Sequence, residues 1–145
     1  MNNCLLCHSS FRREINYEKL FLFIKYKERY TCSECLKKFV KKKGKICSGC
    51  NKEINTEGLC NDCLKWKQKY AGNLLDNRSL YQYNDTFHDV MVQYKRYGDY
   101  ILCHVLAELI DQLPAADYYV PVPSSPSHLE KRGFDTVCAI YQKLV

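Results

Sequence analysis

The chain has 145 residues, ten of them cysteine, and a formal net charge of +6. This length suits one domain or two small ones, and no stretch approaches the roughly 18 apolar residues of a membrane-spanning helix. The amino terminus has no signal-peptide pattern, so we expect a cytoplasmic location without membrane insertion. A reducing cytosol disfavours disulfides, and the alternative is a secreted disulfide framework.

The first half of the sequence carries the positive charge. Residues 1–70 contain 16 Lys and Arg against 7 Asp and Glu, whereas residues 71–145 contain 6 against 9. A basic module joined to a mildly acidic one indicates that the first half meets an anionic partner such as nucleic acid. The alternative is a solvated lysine surface that serves only solubility.

Eight cysteines form four CxxC pairs near the amino terminus. The pairs are Cys4/Cys7, Cys32/Cys35, Cys47/Cys50 and Cys60/Cys63. Two such pairs supply the four thiolates of a tetrahedral structural zinc site, so four pairs predict two zinc ions. Sequential pairing, first with second and third with fourth, needs the least loop closure, and interleaved pairing remains open.

Two other chemistries use the same motif. Cys4 and Cys7 followed by His8 match the CxxCH pattern of covalent haem attachment, which requires export. A thioredoxin-like redox role uses a CxxC pair at the start of a helix in a βαβ unit. The fourfold repetition argues against both. Because structural zinc sites are closed shells, we predict no catalytic residue in this region.

Three local elements are predicted in the first half. The apolar run at residues 20–24 predicts a strand or a buried helical turn. Gly49, inside the third CxxC pair, is expected to supply the positive φ that tight metal-binding turns need. A basic aromatic helix is predicted after Cys63. Its candidate nucleic-acid-binding residues are Lys65, Trp66, Lys67, Lys69 and Tyr70. Together they offer cations for phosphate and rings for base stacking.

The middle of the chain predicts a connector and two strands. Residues 71–78 contain Gly, Asn and Asp without periodicity, and residues 79–83 alternate like a strand. Residues 118–122 are rich in β-forming side chains and predict a second strand. A parallel sheet needs several strands joined by crossovers, so these segments indicate only the opening of an α/β unit.

Apolar faces predict helices at residues 86–97 and 100–113, and Asp135 is expected to cap a third helix. Lys95 and Arg96, at the end of the first of these helices, are candidate nucleic-acid contacts. The alternative is that they only stabilise the helix dipole.

A Pro- and Ser-rich loop precedes a basic turn, at the kind of position where the strand ends of α/β folds present ligands. The candidate phosphate- or ligand-binding residues are Ser124, Ser125, Arg132, Gly133, Phe134 and Asp135. Hydroxyls, backbone N–H groups and a guanidinium are suited to an anionic ligand.

Several of these motifs occur together along the whole chain. They are the four CxxC pairs, Tyr-Lys-Arg-Tyr-Gly-Asp at 94–99, Val-Pro-Val-Pro-Ser at 120–124 and Arg-Gly-Phe-Asp at 132–135. The combination resembles the ComF family of late-competence proteins. The family usually has Asn where this chain has Asp135.

The resemblance implies a small metal-bound double zinc ribbon followed by the incomplete N-terminal part of an α/β type I phosphoribosyltransferase-like domain. The implied boundaries are residues 1–66 for the double zinc ribbon, 67–78 for a connector and 79–145 for the partial domain. The family's phosphoribosyl pyrophosphate loop, an apolar strand followed by two acidic residues and Thr-Thr-Gly, does not occur in this sequence. We therefore expect a truncated form that is inactive as an enzyme, with phosphoribosyl pyrophosphate as a ligand only of a full-length form.

In function, the resemblance implies a cytoplasmic protein that assists the import of transforming single-stranded DNA. Its implied partners are single-stranded DNA and a ComFA-like helicase or translocase. The alternative is a stand-alone zinc-ribbon module that binds nucleic acid or protein and has no competence role.

The cysteine pattern predicts two zinc ions per chain in the reduced, purified protein. Such ions supply most of the folding free energy of small metal-bound modules, so chelation is expected to unfold residues 1–66 before the rest. Atomic emission measures the metal content. A content near one ion, with half the CxxC thiols freely reactive, would contradict the two-site prediction.

Overall fold

The computed structural model describes residues 2–12, 28–73, 75–111 and 113–145. The elements are β1 (Asn2–Asn3), β2 (Ser10–Phe11), α1 (Ser33–Lys37), α2 (Asn61–Lys69), α3 (Asp85–Lys95), α4 (Leu102–Glu108), α5 (Pro126–Arg132) and α6 (Thr136–Tyr141). β1 and β2 form an antiparallel pair. None of these helices is long and apolar enough to cross a lipid bilayer. The apolar run at residues 20–24 lies outside the described residues.

The chain divides into two compact units. One consists of Met1–Lys38 with Asp85–Val145, and the other of Phe39–Asn84. The first two CxxC pairs therefore share a unit with α3–α6, while the last two pairs lie in the other unit. This division differs from the implied one, in which all four pairs belong to residues 1–66. The implied domain boundaries stay a prediction.

In the first unit, α4 packs against α3 and α6. Val90 and Tyr94 of α3 are buried, in agreement with the apolar face predicted for this helix. The buried side chains of α4 are those of Leu102, Cys103, Val105, Leu106 and Ala107. Thr136 and Ala139 are buried on α6. The apolar stripes seen in the sequence thus form the core of this unit.

Both long helices are shorter than predicted. α3 ends at Lys95 and α4 covers only Leu102–Glu108 of the predicted 100–113. At its two ends the α-helical pattern gives way to tighter turns. The Leu102 N–H donates to the Asp99 carbonyl at 3.2 Å, and the Ile110 N–H donates to the Ala107 carbonyl at 3.1 Å. These i to i+3 bonds are of the 3₁₀ type.

The strand predicted at residues 118–122 is wrong, because the structure assigns no strand there. Pro121 and Pro123 lack N–H donors, which weakens this segment as a ladder partner. The strand predicted at residues 79–83 is reduced to an isolated antiparallel bridge between Tyr81 and Lys41. A strand needs a partner from elsewhere in the chain, and a local alternation pattern does not reveal that partner.

Tyr94 provides a test of the first unit's core. Its hydroxyl donates to the Thr136 carbonyl at 2.6 Å, and both residues are buried. Tyr94→Phe keeps the ring but removes this donor, so we expect the free energy of unfolding to fall by about 1–2 kcal/mol. Tyr97→Phe is the control, since the Tyr97 side chain is 80% exposed. Chemical denaturation measures both, and equal losses in the two variants would contradict the assignment.

Candidate metal centres and basic surfaces

The eight CxxC cysteines form two groups in space. The first quartet is Cys4, Cys7, Cys32 and Cys35, and the second quartet is Cys47, Cys50, Cys60 and Cys63. Within each quartet, the four Sγ atoms all lie within 4.8 Å of one another. The sequential pairing is therefore confirmed, and the interleaved one is excluded.

The spacing of the sulfur atoms fits a tetrahedral metal shell. The Cys7 and Cys32 Sγ atoms are 3.7 Å apart. The Cys50 and Cys60 Sγ atoms are also 3.7 Å apart. Four sulfurs at the Zn–S distance of about 2.3 Å would be separated by about 3.8 Å along each tetrahedron edge. The all-thiol donor set and this spacing are consistent with structural zinc at both quartets.

All four CxxC turns share one backbone hydrogen bond. The residue after the second cysteine donates its N–H to the carbonyl of the first cysteine. The pairs are His8 to Cys4, Leu36 to Cys32, Asn51 to Cys47 and Leu64 to Cys60, at 2.9, 3.0, 3.0 and 3.0 Å. This bond closes each turn and brings its two thiols to the same side.

Each quartet combines a turn in a loop with a turn that opens a helix. Cys32 is the N-cap residue of α1, and Cys35 lies in its first turn. Cys60 caps α2 in the same way, and its Sγ accepts the Cys63 N–H at 3.5 Å. The ligands therefore fix the start of each helix.

The positive φ expected at Gly49 is found elsewhere, so that prediction is wrong. Positive φ values of 59° and 58° occur instead at His8 and Asn51, each of which directly follows the first CxxC pair of its quartet. A glycine at position 49 is favoured for a different reason. A Cβ at this position would lie 3.1 Å from Leu59 Cδ2 and 3.3 Å from Cys63 Sγ. The second quartet thus depends on a close approach of the backbone.

Backbone donors favour one thiolate in each quartet. A hydrogen bond from the Ser9 N–H lowers the pKa of Cys7 to about 6. Hydrogen bonds from the N–H groups of residues 50 and 60 lower the pKa of Cys47 to about 6. Burial raises the pKa of Cys35 and of Cys63. Cys35 and Cys63 therefore lose their protons only where a cation compensates the added charge.

The predicted basic aromatic helix is α2, and its rings form an exposed cluster. The Trp66 and Tyr70 rings are stacked, with centroids 5.4 Å apart and planes 12° apart. The Lys69 Nζ lies 5.2 Å from the Trp66 centroid and 5.5 Å from the Tyr70 centroid. Each ring is 48% exposed, and Lys65 and Lys67 are also exposed. We call these five residues the α2 surface.

Lys95 and Arg96 are exposed at the end of α3, apart in sequence from the α2 surface. Of the two rings in this run, Tyr94 is buried in the core and Tyr97 is exposed. Tyr94 is therefore unavailable for base stacking. Nucleic-acid contact by Lys95 and Arg96 stays a prediction.

Part of the predicted phosphate region has a structural role. The Phe134 ring lies 5.5 Å from the Tyr94 ring and 5.1 Å from the Tyr100 ring. Gly133 ends α5 in the left-handed conformation, at φ 82°. The Arg132 Nη1 lies 3.4 Å from the Thr136 hydroxyl. Ligand binding by these residues stays a prediction.

Asp135 joins the serine loop to α6. Its Oδ1 accepts the N–H groups of Val137 and Cys138 at 2.9 and 2.8 Å, which confirms the predicted cap. Its Oδ2 accepts the Ser124 N–H at 2.5 Å. The Ser124 N–H therefore already has a carboxylate acceptor. The Ser125 and Ser127 hydroxyl oxygens lie 3.2 Å apart.

Sequence reasoning missed one partly buried polar cluster in the first unit. The Glu108 carboxylate accepts the Tyr30 N–H at 3.0 Å and lies 3.6 Å from Arg29 Nε. The signal that could have revealed it is an acidic residue inside the apolar stripe of a predicted helix.

The role of Asp135 can be tested by substitution and by the pH dependence of stability. Hydrogen bonds from the Cys138 and Ser124 N–H groups lower the pKa of Asp135 to about 2. Asp135→Asn keeps one carbonyl oxygen for the cap but turns an amide NH₂ toward the Ser124 N–H, whereas Asp135→Ala loses both contacts. We expect thermal stability to decrease from wild type to Asn to Ala.

The pH dependence of the Asp135 variants follows from the sign of the shift. The folded pKa lies below the unfolded value of about 3.9, so the carboxylate stabilises the fold above that value. The advantage of wild type over Asp135→Asn should be constant between about pH 5 and 8 and shrink only as pH falls from about 4 toward 2. Thermal melts measure it, and a gap that changes between about pH 5 and 8 would contradict the assignment.

Comparison with known proteins identifies relatives over most of the chain. It is 31% identical over 140 residues to competence protein ComFC of Bacillus subtilis (strain 168), covering 91% of this chain and 58% of that protein. It is 30% identical over 138 residues to competence protein ComFC of Streptococcus pneumoniae (strain ATCC BAA-255 / R6), covering 92% of this chain and 60% of that protein. The chain thus spans less than two thirds of these curated relatives.

No protein-family model matches the chain. No solved structure matches it either. The two relatives agree with each other in name and in the extent of the match. This similarity at about 30% identity over most of the chain supports its membership of the ComF family.

Proposed function

We propose that this chain assists the import of single-stranded DNA during natural transformation, with structural zinc at both quartets. Its relatives are named competence proteins, which supports a competence-associated role. We further propose a cytoplasmic location and a ComFA-like helicase or translocase as partner. The observation that carries the DNA part of the proposal is the α2 surface.

The stacked rings of the α2 surface suit unpaired bases. Single-stranded nucleic acid presents bases that stack on aromatic side chains, whereas a duplex keeps its bases inside. Trp66 and Tyr70 are each about half exposed, although burial of such rings is favourable. An exposed parallel pair next to an ammonium group offers a base both stacking and a cation–π partner.

The cations of the α2 surface suit the phosphate backbone. Lys65 and Lys69 are one helical turn apart, and Lys67 lies between them in sequence. Within the described part of the chain, none of these three ammonium groups forms an ion pair. They therefore remain available to replace counterions along a nucleic-acid strand.

The second quartet holds the α2 surface in place. Cys60 is the N-cap residue of α2, and Cys63 lies in the first turn of this helix. A helix of nine residues is marginal in water on its own. Metal binding at the second quartet would therefore organise the helix that presents Trp66 and Tyr70.

Binding of a labelled single-stranded oligonucleotide tests the proposal. Changing Lys65, Lys67 and Lys69 to Ala should weaken binding and flatten the slope of log affinity against log salt by about 2. Trp66→Ala with Tyr70→Ala should weaken binding by about tenfold or more while leaving the salt slope nearly unchanged. Fluorescence anisotropy across a salt series measures both effects.

The matched control changes Lys37, Lys43 and Lys45 to Ala, which removes the same charge elsewhere. If this control weakens binding as much as the α2 variant, the chain binds DNA only through its overall charge and the α2 assignment fails. Transformation frequency in the source organism tests the competence role. An unchanged frequency after deletion of the coding region would contradict it.

A further inference from the structure

The Glu108 carboxylate lies where a negative charge is energetically unfavourable. It is the last residue of α4, where the negative end of the helix dipole disfavours an anion. Its side chain is only 7% exposed, so the charge has also lost most of its contact with water. A buried carboxylate at this position requires compensation from the groups around it.

The compensation comes from the chain that leads into the first quartet. The Tyr30 N–H donates to Glu108 Oε2 at 3.0 Å, and Arg29 Nε lies 3.6 Å from Oε1. One helical turn earlier on α4, the His104 ring lies 4.3 Å from the Tyr30 ring. Residues 29 and 30 are therefore held on α4 by a hydrogen bond, an ion pair and a ring contact.

Tyr30 also connects the two CxxC turns of the first quartet. Its carbonyl accepts the Leu5 N–H at 2.9 Å, and Leu5 lies between Cys4 and Cys7. Two residues after Tyr30, the Cys32 N–H donates to Cys4 Sγ at 3.4 Å. The intervening Thr31 is fully buried. A displacement of Tyr30 would thus disturb both CxxC turns of the first quartet.

We infer that Glu108 is a positioning residue for the first quartet, so that metal binding there and the folding of α4 are one event. The second quartet lies in the other compact unit, Phe39–Asn84, where a bound metal would organise the start of α2. The two metal centres therefore have different structural roles. This inference does not depend on DNA binding, and it differs from the expectation that chelation unfolds residues 1–66 before the rest.

The first experiment follows zinc release from the zinc-loaded full chain to a chelating dye. Glu108→Ala should accelerate release of one of the two ions by about 10–100-fold, the size of effect that loss of an outer-shell group has at metal sites, and leave the other unchanged. Glu130→Ala is the control, because Glu130 is exposed on α5. Unchanged release of both ions, equal acceleration of both, or failure of the wild type to bind zinc would overturn the inference.

A milder variant keeps the test decisive if Glu108→Ala does not fold. Glu108→Gln retains an oxygen that accepts the Tyr30 N–H but removes the charge opposite Arg29. It should fold and release one ion faster than wild type, by less than about tenfold. Release at the wild-type rate from a folded Glu108→Gln would overturn the inference.

The converse experiment removes one ligand from each quartet. Cys35 and Cys63 occupy equivalent positions in the first turns of α1 and α2. Hydrogen exchange of the α4 amides is the readout, since protection reports local opening. Cys35→Ser should speed exchange in α4 by about tenfold or more, and Cys63→Ser should not. Equal effects of the two variants, or no effect of Cys35→Ser, would overturn the inference.

Discussion

A shell of four sulfur atoms about 3.8 Å apart is the constraint on which both metal-binding regions depend. The shared N–H bond in every CxxC turn, the left-handed residues after the loop turns and the missing Cβ at position 49 all serve that spacing. α1 and α2 have only five and nine residues. Helices this short do not persist alone, so a metal bound at each quartet would fix where the helix starts.

The parts of this structure that the sequence predicts well are those with short-range causes. The cysteine pairs, the cap at Asp135 and the buried face of α3 each depend on residues within one or two turns of each other. Spacing and periodicity record such causes directly. Loop-closure entropy even favoured the correct pairing of the cysteines, because it rewards the nearer partner.

The features that the sequence does not predict have partners far along the chain. Residues 79–82 pair with residues 40–42 rather than with another strand of an α/β sheet. Glu108 is 78 residues from Tyr30. The sequence alone does not distinguish Glu108 from an exposed charged residue on a helix. The role of Gly49 was equally hidden, since a missing Cβ matters only where another side chain comes close.

The two quartets differ greatly in the length of chain between their turns. In the first, 24 residues separate the two CxxC pairs, whereas 9 residues separate them in the second. Because the entropy of closing a loop grows only with the logarithm of its length, this difference costs about 1 kcal/mol. A metal site of this design is therefore tolerant of insertions between its turns. Between its two turns, outside the positioning residues 29–31, such a chain could gain or lose residues in evolution at little entropic cost.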